Sequence, residues 1–109
     1  MNSSLLADVH DLKSRLEWGQ PALTIIDVRD RSTYNHGHIT GAISIPLSDL
    51  ASRATSALHK QRHICVYSDY DTQATQAVEI LKAQGFADVS EIHGGLQAWK
   101  TIGGATEGV

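Results

Sequence analysis

Two short apolar runs constrain what this chain can fold into more than any other feature: Leu23-Thr24-Ile25-Ile26-Asp27-Val28 and His63-Ile64-Cys65-Val66-Tyr67. Each has the length of a strand and reads as a continuous run, which is the pattern of a strand buried on both faces of a parallel sheet. Helix-forming stretches separate them. Val9, Leu12 and Leu16 recur at helical spacing after Asp8, a plausible N-cap, and Gly19 and Pro21 follow as stops, so a helix is predicted over about 8–18. Asp30 to His36 reads as a short helical turn ended by Gly37, and Ala42 to Ile45 as a brief strand closed by Pro46. Ser48 is placed to cap a helix over about 49–58, with Asp49 favourable in its first turn. Beyond the second apolar run, Ser68 to Thr72 is polar and turn-like. A strong helix then starts at Asp71 or Thr72 and runs to Gln84, with Ala74, Ala77, Val78 and Leu81 as its apolar stripe and Gly85 as its C′ residue. Val89 to Ile92 is a further strand, and Leu96 to Thr101 a last short helix after Gly94-Gly95. Strands alternating with helices imply an α/β fold around a central, mostly parallel sheet with helices on both faces. Ligands of such sheets sit outside the carboxyl ends of the strands, where residues 68–72 lie.

At 109 residues the chain has the size of one domain, read as 1–101, and 102–109 is expected to fray because Gly103, Gly104 and Gly108 loosen it. Acidic residues outnumber basic ones by 12 to 9, and the formal charge is −3. The Lys and Arg residues are scattered, with Arg29 and Arg31 the closest pair, so a nucleic-acid partner is not expected. No apolar stretch approaches the roughly 20 residues that cross a bilayer, and Met1 to Leu6 does not read as a signal peptide, so no membrane association is expected. One cysteine, Cys65, allows no internal disulfide, which fits a cytoplasmic location.

Three segments together resemble the rhodanese family, whose active members are sulfurtransferases. Asp27-Val28-Arg29, Tyr34, Gly37-His38-Ile39-Thr40-Gly41-Ala42 and Ile45-Pro46-Leu47 look like its "DVR…Y..GHI.GA..IP" stretch. The strand, loop and helix from Ile64 to Phe86 form the second segment, and Gly94-Gly95-Leu96-Gln97-Ala98-Trp99 looks like its "GG…W" ending. Each piece alone is weak, but their order and spacing agree over nearly the whole chain. The resemblance implies a rhodanese-like fold in which the loop after the central strand reads Cys-x-x-Gly-x-Arg-Ser and its amides surround a nucleophilic cysteine. The aligned residues here are Ser68, Asp69, Tyr70, Asp71, Thr72, Gln73 and Ala74. Serine stands for the nucleophile, aspartate for the turn glycine, glutamine for the anion-binding arginine and alanine for the terminal serine.

Those departures bear on chemistry directly. Sulfur transfer needs a nucleophile that ionises near neutral pH and carries a second sulfur, as a thiol of pKa about 8.5 does once amides or a cation lower it. A serine hydroxyl is far harder to ionise, needs a general base, and forms no persulfide. Asp69 and Asp71 place carboxylates where an anion would sit, and each favours the helix N-terminus through its dipole by ~0.3–1 kcal/mol. Read plainly, Asp71 is a helix N-cap and Asp69 a solvated turn residue. Read functionally, the two are an acidic rim with Tyr70 as an aromatic anchor for an unidentified protein partner.

The other candidates read more simply. Cys65 lies within a strand, where a buried cysteine behaves as a small inert hydrophobe. His36 and His38 lack the further ligands a metal needs, and no metal or cofactor is expected. The resemblance implies that His38 is structural and that Asp27 and Arg29 tie strand to loop. His93 sits beside the Gly-Gly turn and could serve Ser68 as a base, but no matching acid is apparent in the sequence. Trp99 and Phe86 follow apolar periodicity and read as core. The expected function is a rhodanese-like domain without its nucleophile, acting as a non-catalytic binding or regulatory module. The alternatives are a weak sulfurtransferase, one using Cys65, or another reaction at Ser68. Partner and oligomeric state are left open by the sequence.

Overall fold

A computed structural model describes Leu6–Ala7 and residues 23–108. The helix expected over 8–18 lies outside the described residues. The main sheet has five strands, β1 (Leu6–Ala7), β2 (Leu23–Asp27), β4 (Ile43–Ser44), β5 (His63–Tyr67) and β6 (Val89–Ile92), in the order β1-β6-β5-β2-β4. Every neighbouring pair is parallel. The four described helices are α1 (Arg31–His36), α2 (Leu47–Ala57), α3 (Asp71–Ala83) and α4 (Gly95–Thr101).

The two apolar runs are continuous because the sheet is covered on both sides. Ile26, Ile64 and Val66 join Leu50, Ala54, Ala77, Val78 and Leu81 in one core, packed under α2 and α3. Their sequence neighbours Ile25, Cys65 and Tyr67 point the other way and join Ile39, Ile92 and Trp99 in a second core beside α4. That alternation is the period of two of a strand, with apolar residues on both phases. Phe86 closes the first core as Trp99 closes the second.

Local signals hold with small shifts. At the end of α3, Phe86 N–H donates to Leu81 O and Gly85 N–H to Lys82 O, 3.1 Å each. Gly85 sits at φ 94°, the left-handed C′ conformation that glycine adopts at least cost. Ser48 does not cap α2: the helix begins at Leu47 with Pro46 in the N-cap position, so Ser48 lies inside its first turn. Asp71 is likewise the first helical residue of α3, with Tyr70 in the N-cap position and no side-chain cap bond.

The segment expected to fray makes long-range contacts. Two-residue strands β3 (His38–Ile39) and β7 (Thr106–Glu107) pair antiparallel. Trp99 Nε1 donates to Ala105 O at 2.8 Å, and Gly104 lies so close to the indole that a Cβ there would fall 2.2 Å from it. These contacts reach the tail from residues remote in sequence, despite its glycines.

Candidate functional site

The carboxyl ends of β2 and β5 lie side by side, with Asp27 paired to Tyr67. The backbone leaving β5 turns through Ser68, Asp69 and Tyr70 and enters α3. The loop expected to matter therefore sits at the carboxyl edge of the central strands, above a buried polar network.

Asp27 anchors that network. Its carboxylate accepts from Arg29 Nε at 3.0 and 3.1 Å, Arg29 Nη2 at 2.6 Å, the Arg29 backbone N–H at 2.9 Å and the Tyr67 hydroxyl at 2.7 Å. Arg29 Nη2 also donates to Gly37 O at 2.7 Å, and Nη1 approaches Asp69 Oδ1 at 3.4 Å. Tyr67 closes the set by accepting the Ile39 N–H at 3.1 Å. Burial works against the Arg29 charge, but Asp27, by hydrogen bond and by charge, outweighs it and holds the guanidinium above its ordinary pKa, with smaller help from Tyr67 and Asp69. Burial first, then the bond to Asp27, pushes the Tyr67 phenol up as well. Asp27 and Arg29 thus join β2 to the segment before β3 and to the loop.

Ser68 is only 1% exposed, and its hydroxyl donates to Gln73 Oε1 at 2.6 Å. The loop backbone is held from below by Gly95, where a Cβ would meet Ser68 O at 2.3 Å and φ is 59°. Asp71 is engaged elsewhere: Oδ1 accepts the Gly94 N–H at 3.1 Å, and Oδ2 lies 3.1 Å from His93 Nδ1. His93 therefore has the acidic partner the sequence did not reveal. Among the described residues no histidine bonds the Ser68 hydroxyl, so serine, histidine and aspartate share the loop without forming a relay.

Beyond the loop, the remaining candidates separate. His38 Nδ1 donates to Tyr34 O at 2.8 Å, its ring stacks on Tyr34 at 3.7 Å, and Nε2 faces Glu107 Oε1 at 3.4 Å. His36 Nδ1 donates to Ser32 O at 2.6 Å, one turn back along α1. Cys65 is fully buried in β5. Thr72 is exposed on the first turn of α3. Tyr70 is 68% exposed at the edge of a cleft of about 470 Å³ between the loop, the end of β2 and the start of α2. The sequence reading missed Tyr67, whose hydroxyl links three segments, and Glu107, which reaches both His38 and the Gly41 N–H at 3.1 Å. Neither carries a local signal, since each acts through a partner remote in sequence.

Among the described residues, no helix is long and apolar enough to cross a membrane. The family model for the rhodanese-like domain matches residues 8–102. A crystal structure of the Alr3790 protein from Anabaena sp. is 61% identical, covers 94% of this chain and 92% of its own, and superposes with a TM-score of 0.91. A thiosulfate sulfurtransferase GlpE from Shewanella oneidensis is 33% identical over 78 residues, 72% of this chain and 76% of that protein. A probable molybdopterin-synthase adenylyltransferase from Porphyra purpurea is 32% identical over 96 residues, 87% of this chain but only 25% of its own length. The chain spans between 22% and 40% of the first curated relatives it matches, so the shared part is one module of larger proteins. With its parallel sheet, its two covered faces and these relatives in agreement, the chain belongs to the rhodanese-like domain family.

Proposed function

We propose that this domain binds a protein partner in the cytoplasm and does not transfer sulfur. The observation that carries the reading is the Ser68 hydroxyl, buried at the end of β5 and donating its proton to an amide oxygen, Gln73 Oε1, at 2.6 Å. Sulfurtransferase chemistry asks for a thiolate at this turn, stabilised by amides and a cation. Here a hydroxyl stands at the turn, Gln73 brings no charge, and Asp69 and Asp71 oppose an incoming anion. Cys65 packs beside Ile25, Tyr67 and Trp99 and is fully buried, where its thiol has no route to a sulfur donor. The acidic rim of Asp69, Tyr70 and Asp71 is the face offered to a partner.

The test is thiocyanate production from thiosulfate and cyanide by the wild-type protein beside Cys65→Ser. The expected result is no turnover above buffer for either. Turnover lost in Cys65→Ser would restore the strand cysteine as a nucleophile, and turnover surviving it would place the reaction at the loop. Either outcome overturns the binding-module reading.

One observation favours a second reading, a hydrolytic reaction at Ser68: His93 Nδ1 lies 3.1 Å from the Asp71 carboxylate. Against it, the Ser68 proton is committed to Gln73, not to an imidazole. Failure of a fluorophosphonate probe to label Ser68 is the expected outcome, and labelling lost in His93→Ala would establish the hydrolase instead.

A further inference from the structure

We infer that the partner surface is the cleft on the β2–α2 side of the loop, and that it takes a basic side chain flanked by an apolar one from an extended peptide. The inference rests on the binding-module reading and narrows it, because the loop's carboxylates are not equivalent. Asp71 has both oxygens engaged, by Gly94 N–H and by His93. Among the described residues Asp69 meets only Arg29 Nη1, at 3.4 Å, and its side chain is 53% exposed. Asp30 is exposed and makes no side-chain cap bond to α1. Asp30 and Asp69 both line the cleft of about 470 Å³, and Asp71 does not.

The walls complete the site. Pro46 and Leu47 supply apolar surface, with the buried Val28 also in the lining, and Tyr70 stands at the edge as one of two exposed large hydrophobic residues among the described residues. A cleft of this size lies in the range that receives small ligands or a few side chains. An exposed tyrosine beside carboxylates suits a cationic partner twice, by packing on its stem and by attraction of the ammonium or guanidinium to the ring face. Arg29 does not reverse the sign. Its Nε and Nη2 are turned to Asp27 and Gly37 O, and Nη1 to Asp69. The cleft therefore presents two exposed carboxylates while its guanidinium is taken up by Asp27, Gly37 O and Asp69, a balance that matches cations and opposes anions.

The experiment is an NMR titration of the full chain, isotopically labelled, with a terminally blocked hexapeptide of alternating arginine and leucine. Its counterpart with glutamate for arginine is the control. The expected result is saturable shifts at Asp30, Thr33, Leu47 and Tyr70 for the basic peptide alone, weakened by salt. Asp30→Asn and Asp69→Asn each weaken binding roughly two- to five-fold, the range of an exposed ion pair. Tyr70→Ala weakens it roughly ten-fold, as loss of an aromatic anchor does. Glu79→Gln, which removes one charge from an exposed position on α3, changes it less than about two-fold. Shifts confined to Asp71–Gly95, with Asp71→Asn the damaging change, would overturn the cleft while leaving a partner-binding loop intact. Binding of the acidic peptide, or equal losses in Glu79→Gln and Asp30→Asn, would overturn the cationic specificity. The thiocyanate assay decides the underlying reading separately, since a cleft that binds no basic peptide does not by itself create sulfur transfer.

Discussion

Removing one oxygen, in Tyr67→Phe, tests the network beneath the loop most cleanly. The ring stays, so the second core keeps its volume, and only the hydroxyl between Asp27 Oδ2 at 2.7 Å and Ile39 N–H at 3.1 Å is lost. All three residues are buried, so water does not replace it. Leaving the Ile39 N–H unsatisfied costs about 1–3 kcal/mol, and losing a hydrogen bond to a charged group is worth about 1.5–3 kcal/mol. The two losses share one atom and overlap, so we predict a net destabilisation of roughly 2–4 kcal/mol. For a domain of this size that lowers Tm by roughly 10–20 °C. Urea unfolding should show a lower midpoint with the slope m unchanged. A midpoint shift equivalent to less than about 0.5 kcal/mol would refute the claim that this hydroxyl joins β5, β2 and β3.

The same hydroxyl has a signature in pH. Burial and the Asp27 bond raise the Tyr67 pKa in the folded protein, whereas the unfolded chain releases its phenolic proton near pH 10. The folded state then holds more protons than the unfolded one above that pH, so stability falls as pH rises. The contribution is complete below about pH 10 and is lost progressively towards the higher folded value. Tyr34, raised chiefly by burial, adds in the same direction. Wild-type stability should therefore slope downward above pH 10, and the slope should be shallower in Tyr67→Phe; equal slopes would remove Tyr67 as its source.

Other perturbations test neighbouring parts of the site. Asp27→Asn leaves the Arg29 charge buried without its counter-ion, and we predict a loss of about 3–5 kcal/mol in urea unfolding, a much milder change refuting the scaffold role. Gly95→Ala forces a Cβ to within 2.3 Å of Ser68 O at a φ of 59°, so it should cost at least about 2 kcal/mol by thermal melting and shift the Ser68 and Asp69 amides in NMR spectra, whereas a neutral result would place the loop free of α4. Ser68→Cys restores a thiol to the loop but not the charge around it. Asp69, Asp71 and Gln73 give its thiolate no cation, so we expect no thiosulfate turnover and slow alkylation at neutral pH, and measurable turnover would show that the side chain at 68 alone had silenced the loop.

Legibility divided along the line between periodic and long-range information. The strands β2, β5 and β6 and the stripe of α3 were readable because burial imposes its period on the residues themselves. The loop's place followed from chain order, since in a parallel sheet the turn after a central strand lies at the carboxyl edge. Capping was read one residue off at α3 and two at α2. At α2 the fixed φ of Pro46 already set the entry angle and left Ser48 inside the helix. The contacts of the tail were hidden for a related reason: three glycines predict looseness locally, and no spacing reveals that Gly104 is small so that the backbone can lie against Trp99. The Asp71–His93 pair was hidden in the same way, because it forms where the ends of β5 and β6 converge and no spacing within either segment encodes it.

The network and the side chain at 68 can change independently, and this bears on how a sulfurtransferase scaffold could come to bind instead. Asp27, Arg29 and Tyr67 fix the strand ends through bonds to Gly37 O and Ile39 N, none of which involves the side chain at 68. Gly95 sets the loop through the Ser68 backbone oxygen, a contact that any residue at 68 would offer. The loop's height and direction are thus held by neighbours on two sides, whatever nucleophile it carries. Substituting the nucleophile leaves the fold intact, and a carboxylate at 69 even gains a contact with Arg29. On the proposed binding reading, a position freed from chemistry would still lie at the edge of a cleft that the side chains at 69 and 70 line. The proposed binding reading and the preserved scaffold are therefore compatible in one arrangement: the parts that hold the loop are not the parts that would react there.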